Sequence, residues 1–362
     1  MRLMQAVLAV FAMAVAATVG AAEPLKVALY VDWGCRGPGV LHWARLLSSS
    51  PDTELDILDS ADVLAGKLPG HDVLVMPGGG GYERHRQLGE KGFDAIRAFV
   101  RGGGLYYGTC AGFAVVMNEP RRLCMVPYKK ESNPMRGCFA GAVRIGDRAA
   151  ELMGIPAGTR HFFYHDGPLP APSDPVPDSE YEVLATYESE VMQKGKAKSP
   201  MFGMPAIVFG RYGKGKVFVT IMHPEYFVST YDVLAGGFRA LSGRDVRFAP
   251  PPRKAPRSLR VAYYASEIDR NAPAITAREV VRDALALSAR PDLDVAAVSG
   301  EDISHGSLDH VDVLVLPGGE FKHLWPESVP VVEAFKAAGG RIVASGAEIP
   351  QGGCNPKSAD AR

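Results

Sequence analysis

The chain has 362 residues, enough for about two domains, and its 47% hydrophobic and 22% charged residues are ordinary for a folded globular protein. Forty Lys and Arg residues balance forty Asp and Glu residues, so the sequence has no basic excess and does not favour a nucleic acid partner. The sequence contains neither a Cys-x-x-Cys pair nor a His-Glu-x-x-His motif, so it predicts no metal site and no cofactor.

The first 22 residues have the pattern of a secretory signal peptide. Arg2 supplies the positive charge, residues 6–17 form an unbroken apolar core, and small residues at 20–22 precede Glu23. The apolar run is shorter than the roughly 20 residues of a membrane span. We therefore expect cleavage and a periplasmic or secreted protein without a stable membrane span. An uncleaved anchor is the minority interpretation.

The five cysteines bear on this expectation, because an exported chain meets an oxidising compartment. They are Cys35, Cys110, Cys124, Cys138 and Cys354. If Cys110 stays free, the expected disulfide joins Cys124 and Cys138, which are close in sequence, although spacing alone does not fix connectivity.

Apolar runs alternating with helical patterns open the chain. The predicted strands are residues 25–31, 55–58 and 72–76. A helix is predicted at 40–48, the third strand ends in the glycine run 77–81, and a helix at about 90–101 leads to a fourth strand. This alternation predicts an α/β fold with a doubly wound, mostly parallel sheet, in which sites lie at the carboxyl ends of strands.

The fourth strand ends in Gly-Thr-Cys-Ala-Gly at residues 108–112. A nucleophile between two glycines at a strand–turn–helix junction is typical of a nucleophile elbow, where the backbone is strained and the helix packs closely behind. The alternative is a buried structural cysteine beside two packing glycines. Cys110 is therefore a candidate nucleophile.

The pattern loosens between residues 119 and 200. His161 and His165 flank an aromatic run, and we interpret them as residues of the fold or of a pocket wall. Residues 168–178 are Pro-rich and predict a loop. Further strands are predicted at 182–187, 206–209 and 217–222.

The last of these strands ends in His223-Pro224-Glu225. A thiol at an elbow needs a base, and the base needs an orienting group. Residues two apart in an extended chain share a side, so His223 and Glu225 can both face the crevice. Cys110 would be the nucleophile, His223 the base and Glu225 the group that fixes the imidazole. The alternative is an ordinary solvated turn.

An acyl-transfer site also needs donors for the oxyanion. The backbone N–H of Ala111 is the natural first donor, and Gly79 or Gly80 is expected to supply the second, since glycine allows close approach of the backbone. A plain strand-to-loop turn is the alternative, because the Pro-Gly-Gly of residues 77–79 recurs at 317–319, where no nucleophile follows.

Weaker candidates surround the same strand ends. Tyr82, Glu83 and Arg84 follow the glycine run and could contact substrate. Asp32 and Trp33 end the first strand and could line the crevice.

The opening pattern returns after a Pro-rich linker at residues 249–258. The matching segments are 25–30 with 259–264, 71–79 with 311–319, and 99–104 with 335–340. In this alignment Gly346 stands opposite Cys110, so the second copy looks inactive and incomplete. The predicted domains are 23–248 and 259–350, followed by a loose tail at 351–362.

The elbow at Cys110 together with His223-Pro224-Glu225 resembles class I glutamine amidotransferase-like domains. The Pro77-Gly78-Gly79 turn, the Cys-Ala-Gly elbow and the Gly-Lys-Gly-Lys…His-Pro-Glu ending are most similar to the biotin-protein ligase N-terminal domain family. The likeness covers about residues 25–230, with 259–348 as a partial second copy. It implies a flavodoxin-like fold and a Cys–His–Glu site. We do not predict biotin ligation, because the sequence shows neither a ligase catalytic domain nor a synthase domain.

The expected function is hydrolysis of an amide or related acyl bond of a small molecule or peptide, by a cysteine nucleophile without a metal. The alternatives are a non-catalytic module that binds a ligand or partner in the same crevice, and an interaction protein whose second domain docks a partner. The inactive second copy and a free thiol in an oxidising compartment favour the binding module. The elbow and His-Pro-Glu, both kept in the first copy, favour the enzyme.

Overall fold

The computed structural model describes residues 23–35, 37–131, 138–190, 192–193, 196–197, 201–250, 258–265, 277–316, 324 and 326–344. Four predicted features lie wholly or mainly outside these residues. They are the signal peptide, the linker, the second Pro-Gly-Gly turn with Gly346, and the tail.

Strands and helices alternate in the first part of the chain and again in the last. The strands are β1 (Leu25–Tyr30), β2 (Thr53–Leu58), β3 (Val73–Met76), β4 (Leu105–Thr109), β5 (Tyr128–Lys130), β6 (Cys138–Ile145), β7 (Gly158–His165), β8 (Pro170–Pro172), β9 (Ser179–Tyr187), β10 (Met192–Gln193), β11 (Lys196–Ala197), β12 (Pro205–Tyr212), β13 (Gly215–Thr220), β14 (Leu259–Tyr264), β15 (Leu293–Val298), β16 (Val313–Leu316) and β17 (Arg341–Ala344). The α-helices are α1 (Gly37–Ser49), α2 (Ser60–Leu64), α3 (Gly81–Arg101), α4 (Ala111–Val116), α5 (Asp147–Met153), α6 (Tyr231–Ser242), α7 (Ala277–Ala289), α8 (Gly300–Ser304) and α9 (Val329–Ala337).

The larger sheet has the order β2-β1-β3-β4-β13-β12-β9-β6-β7. Its first five strands are parallel to one another, in the order of a flavodoxin-like fold. Both faces are covered. Tyr107 packs against Trp43 of α1 and Phe238 of α6, while its neighbour Tyr106 donates a hydrogen bond from its hydroxyl to the Gly112 carbonyl in α4. The predicted α/β fold with a doubly wound parallel sheet is confirmed.

Four antiparallel strands extend this sheet beyond β13. These strands give regular structure to much of the region between residues 119 and 200, where the sequence pattern is loose. The extension curls back, because Phe163 of β7 pairs with His223, the third residue after β13. The far edge of the sheet therefore meets the end of its central strand, next to the elbow.

The second sheet has the order β15-β14-β16-β17, and all its pairings are parallel. This is the order of β2-β1-β3-β4 in the larger sheet. Helix α1 packs against α7 and β15. Arg278 of α7 makes ion pairs with Asp59, the N-cap of α2, and with Asp62 in α2. The domain boundaries and the loss of function in the second copy stay predictions.

One local expectation is incomplete and one is wrong. The helix predicted at about 90–101 is present, but helical structure begins earlier, at Gly81, and is interrupted at Gly89, where φ is 58°. The glycine run therefore leads directly into a helix, although a glycine-rich composition does not indicate one. Cys124 is a free thiol rather than half of a disulfide, and its sulfur donates hydrogen bonds to the Glu119 and Arg122 carbonyls. No helix in the described parts of the chain is both long and apolar enough to span a membrane.

Candidate active site

Cys110 lies between β4 and α4 with φ 52° and ψ −109°, a conformation that is strained for a residue other than glycine. The flanking glycines have no room for a side chain. A Cβ on Gly108 would lie 2.8 Å from the Gly112 backbone, and a Cβ on Gly112 would lie 2.1 Å from the Met76 carbonyl oxygen. The turn therefore holds the thiol at the carboxyl end of the central strand, against the end of β3.

His223 and Glu225 meet at the end of β13, where His223 Nδ1 lies 2.8 Å from Glu225 Oε1. The backbone N–H of His223 donates to the Phe163 carbonyl at 3.0 Å, so the curled extension of the sheet fixes the histidine. Both side chains are buried, with exposures of 2% and 0%. Glu225 holds Nδ1, and the charge of His223 lowers the pKa of the Cys110 thiol.

The electrostatics of the thiol and the imidazole are coupled. Burial alone would raise the pKa of Cys110, but the charge and hydrogen bond of His223, with the backbone N–H of Gly79, bring that pKa below its ordinary value. Burial disfavours the charged form of His223, yet Glu225 and Cys110 together raise the pKa of His223 above its ordinary value. These opposite shifts favour a thiolate–imidazolium pair.

The glycine run after β3 faces the same two side chains. A Cβ on Gly78 would lie 2.7 Å from His223 Cε1 and 3.3 Å from Cys110 Cβ. Gly79 has φ 130°, and its backbone N–H helps to lower the pKa of the Cys110 thiol. The N–H of Gly80 donates instead to the Gly34 carbonyl at 2.7 Å. The expectation that Gly80 can supply an oxyanion donor is therefore wrong, because its N–H is already engaged within the loop.

Ala111 is the first residue of α4, where amide groups have no partner within the helix. The Cys110 thiol also lies 3.6 Å from the His165 carbonyl oxygen, to which it can donate. His165 thus lies at the wall of the site, whereas His161 is exposed. Phe163 lies between them on β7, stacks on Tyr226 and has its ring centroid 5.8 Å from that of His223.

The weaker candidates have other roles. Arg84 is fully buried and donates to loop carbonyls, so the expectation that it contacts substrate is wrong. Asp32 is also buried, and its carboxylate accepts the backbone N–H groups of Trp33 and Ser60. Tyr82 is exposed and Glu83 is half-buried, both at the start of α3.

The sequence analysis gave His165 as a residue of the fold or of a pocket wall, but it did not identify Phe163 or the contact with Cys110, because these contacts join segments about 55 residues or more apart in the chain. It also missed the role of Arg84. No sequence signal could have found it, because the helix that places Arg84 in its first turn begins within a glycine run.

The second sheet reaches the rim of this site. Glu301 Oε2 of α8 lies 3.8 Å from His165 Nε2, and a Cβ on Gly37 would lie 2.1 Å from the Ala265 carbonyl oxygen. Among the residues that the structure describes, no group of three or more His, Cys, Asp or Glu side chains could hold a metal ion.

Residues 69–115, from just before β3 into α4, match the family described as biotin-protein ligase, N terminal. The chain is similar in structure to PurLQS from Thermotoga maritima, with 17% identity and a TM-score of 0.45 over 60% of this chain and 98% of that one. It is also similar to a ThuA-like protein from Bacteroides uniformis, with 17% identity and a TM-score of 0.46 over 62% and 94% of the two chains. No curated protein matches the chain.

Proposed function

We propose that this chain is an exported hydrolase that cleaves an amide or related acyl bond of a small molecule or peptide, with Cys110, His223 and Glu225 as its catalytic residues. One observation carries the proposal: a thiol on a strained turn is paired with a buried imidazole, and the charge distribution favours thiolate and imidazolium. The signal-like residues 1–22 support export to the periplasm or the outside.

The reaction follows from this arrangement. The Cys110 thiolate attacks the carbonyl carbon, and the carbonyl electron pair moves to oxygen, where the N–H groups of Gly79 and Ala111 stabilise the negative charge. The C–N bond then breaks as the His223 imidazolium gives its proton to the leaving nitrogen. A water molecule gives a proton to neutral His223 and attacks the thioester. The acid leaves, and the thiolate–imidazolium pair is restored.

Glu225 acts through His223. Its Oε1 fixes the imidazole so that Nδ1 is engaged, and its buried charge stabilises the imidazolium. Oε2 of Glu225 has no hydrogen-bond partner within the described residues, so the positive charge of His223 is its chief compensation. A buried carboxylate of this kind supports a charged histidine rather than a neutral one.

A second candidate function is a non-catalytic module that binds a ligand or partner in the same crevice. Cys110 is only 7% exposed, and buried thiols are commonly inert. A binding module would keep the crevice but would not form a covalent intermediate.

Trapping of an acyl-enzyme separates the two candidates. Mature protein is incubated with p-nitrophenyl esters of short acids, quenched and examined by peptide mass spectrometry, with Cys110→Ser and His223→Ala as controls. The hydrolase proposal predicts an acyl adduct on Cys110 in the wild type and no such adduct in His223→Ala. A folded protein that neither keeps an adduct nor releases p-nitrophenol from any ester, or that is modified equally in the histidine variant, would sink the hydrolase proposal.

A further inference from the structure

Arg84, in the first turn of α3, is a fully buried cation. Within the described residues it forms no ion pair with a carboxylate. A buried guanidinium is costly unless its N–H groups are hydrogen-bonded. The acceptors around Arg84 therefore show what this side chain holds in place.

The acceptors all lie close to the Cys110 site. Nη2 of Arg84 donates to the Pro77 carbonyl at 2.6 Å and the Gly78 carbonyl at 2.9 Å, and Nη1 donates to the Gly80 carbonyl at 2.7 Å. Nε lies 3.2 Å from Met76 Sδ, and Nη2 also lies 3.7 Å from Cys35 Sγ. The guanidinium thus gathers three carbonyl groups of the glycine run onto one side.

The geometry of the peptide bond links these carbonyl contacts of Arg84 to the Cys110 site. In a trans peptide the C=O of one residue and the N–H of the next point in opposite directions. The Gly78 carbonyl points to Arg84, so the Gly79 N–H of the same peptide points away from Arg84. Gly78 lies beside Cys110, since a Cβ on Gly78 would be 3.3 Å from Cys110 Cβ, and the Gly79 N–H helps to lower the pKa of the Cys110 thiol. The positive charge also polarises the peptide, which makes the N–H a stronger donor.

We propose that Arg84 is a positioning residue that orients the Gly78–Gly79 peptide, so that the Gly79 N–H faces the Cys110 sulfur and, during reaction, the oxyanion. The inference rests on the proposed function, because the oxyanion exists only if Cys110 attacks an acyl group. Arg84 itself touches neither the thiol nor the substrate position.

Arg122 provides a matched control. It is buried to 4% exposure, and its Nη1 lies 2.4 Å from where a Cβ on Gly81 would be, beside the same loop. Unlike Arg84, it donates to none of the Pro77, Gly78 or Gly80 carbonyls, and within the described residues its Nε and Nη1 have no hydrogen-bond partner.

The test measures the rate of Cys110 alkylation by chloroacetamide against pH, in full mature protein checked for folding by circular dichroism. The variants are Arg84→Lys, Arg84→Gln, Arg122→Lys and His223→Ala. Loss of the oriented N–H should move the alkylation midpoint of both Arg84 variants upward by about one pKa unit, about tenfold in rate near neutral pH. Arg122→Lys should follow the wild type.

The outcomes distinguish the inference from the proposed function. If the wild type has a depressed midpoint that His223→Ala raises, while folded Arg84 variants behave like Arg122→Lys, the inference is overturned and the proposed function stands. If the wild type itself has the midpoint of an ordinary thiol and His223→Ala changes nothing, both are overturned.

A measurement on the wild type covers the case in which neither Arg84 variant folds. In protein labelled with ¹⁵N-glycine and ¹⁵N-arginine, the Gly79 amide and the Arg84 guanidinium should both shift when Cys110 is alkylated. An Arg84 signal that does not respond to alkylation would overturn the inference.

Discussion

The two sheets use the same devices to fold but differ where chemistry would take place. Gly104 before β4 and Gly340 before β17 each lie where a Cβ would meet a phenylalanine ring at 2.4 Å. Capping boxes begin both α2 and α8, with Asp59 and Ser299 as the N-caps. Features common to both sheets therefore belong to the fold, and features confined to one sheet are candidates for function.

The difference begins after the fourth strand. In the larger sheet, β4 is followed by Cys110 and pairs on its outer edge with β13. In the second sheet, the residues of β17 are half-buried to exposed, and among the described strands β17 pairs only with β16. His223 follows β13, and the parallel pairing of β13 with β4 brings it to the elbow, where β7 of the antiparallel extension holds its backbone. A thiol without β13 would have no base.

The largest expected effect comes from removing the base. His223→Ala removes the charge that lowers the pKa of Cys110, so alkylation of Cys110 near pH 6.5 should fall by about tenfold or more. Competitive alkylation with peptide mass spectrometry measures this. Cys35 is the internal control, since burial raises its pKa and it should stay unlabelled in both proteins. Equal labelling of Cys110 in folded wild type and variant would contradict the pairing.

The next largest effect tests how closely the glycine run approaches His223. Gly78→Ala places a Cβ 2.7 Å from His223 Cε1, so the imidazole must move. We expect a loss of about 1–3 kcal/mol of unfolding free energy and slower Cys110 alkylation. Gly70→Ala is the control, since a Cβ there has no neighbour within 4 Å. Urea denaturation gives the free energies, and an unaffected thiol in the Gly78 variant would refute the close approach.

The sheet comparison is tested by a pair of glycine variants. Gly104→Ala and Gly340→Ala introduce the same clash with Phe99 and Phe335, so each should destabilise its own sheet by about 1–3 kcal/mol. Only Gly104→Ala should also slow Cys110 alkylation, because only β4 leads to the thiol. Hydrogen exchange resolves which sheet is loosened. If Gly340→Ala slows Cys110 alkylation as much as Gly104→Ala does, the comparison breaks down.

The smallest effect is the pH dependence of stability in Glu225→Gln. The folded pKa of His223 is raised, chiefly by Glu225 against the opposing effect of burial. The charged histidine therefore stabilises the fold fully below its unfolded pKa of about 6.5, and this contribution disappears as pH rises through the folded value. The wild type should exceed Glu225→Gln in melting temperature most at low pH. A gap that widens with rising pH would contradict this sign.

Much of the fold was predictable because buried parallel strands appear in the sequence as continuous apolar segments. The strands that end at Met76 and Thr109 and the elbow at Cys110 rest on local patterns of this kind. The start of α3 at Gly81 was not predictable, since glycine disfavours helices. The hydrogen bond that engages Gly80 and the carbonyls that hold Arg84 depend on contacts made only after folding, which sequence spacing does not encode.

The charge state of His223 tests the central claim most directly. ¹⁵N NMR of histidine-labelled mature protein at neutral pH reports whether both imidazole nitrogens of His223 carry protons. The thiolate–imidazolium pair predicts an imidazolium in the wild type that becomes easier to deprotonate in Cys110→Ala. A neutral imidazole at pH 7 in the folded wild type would contradict the account.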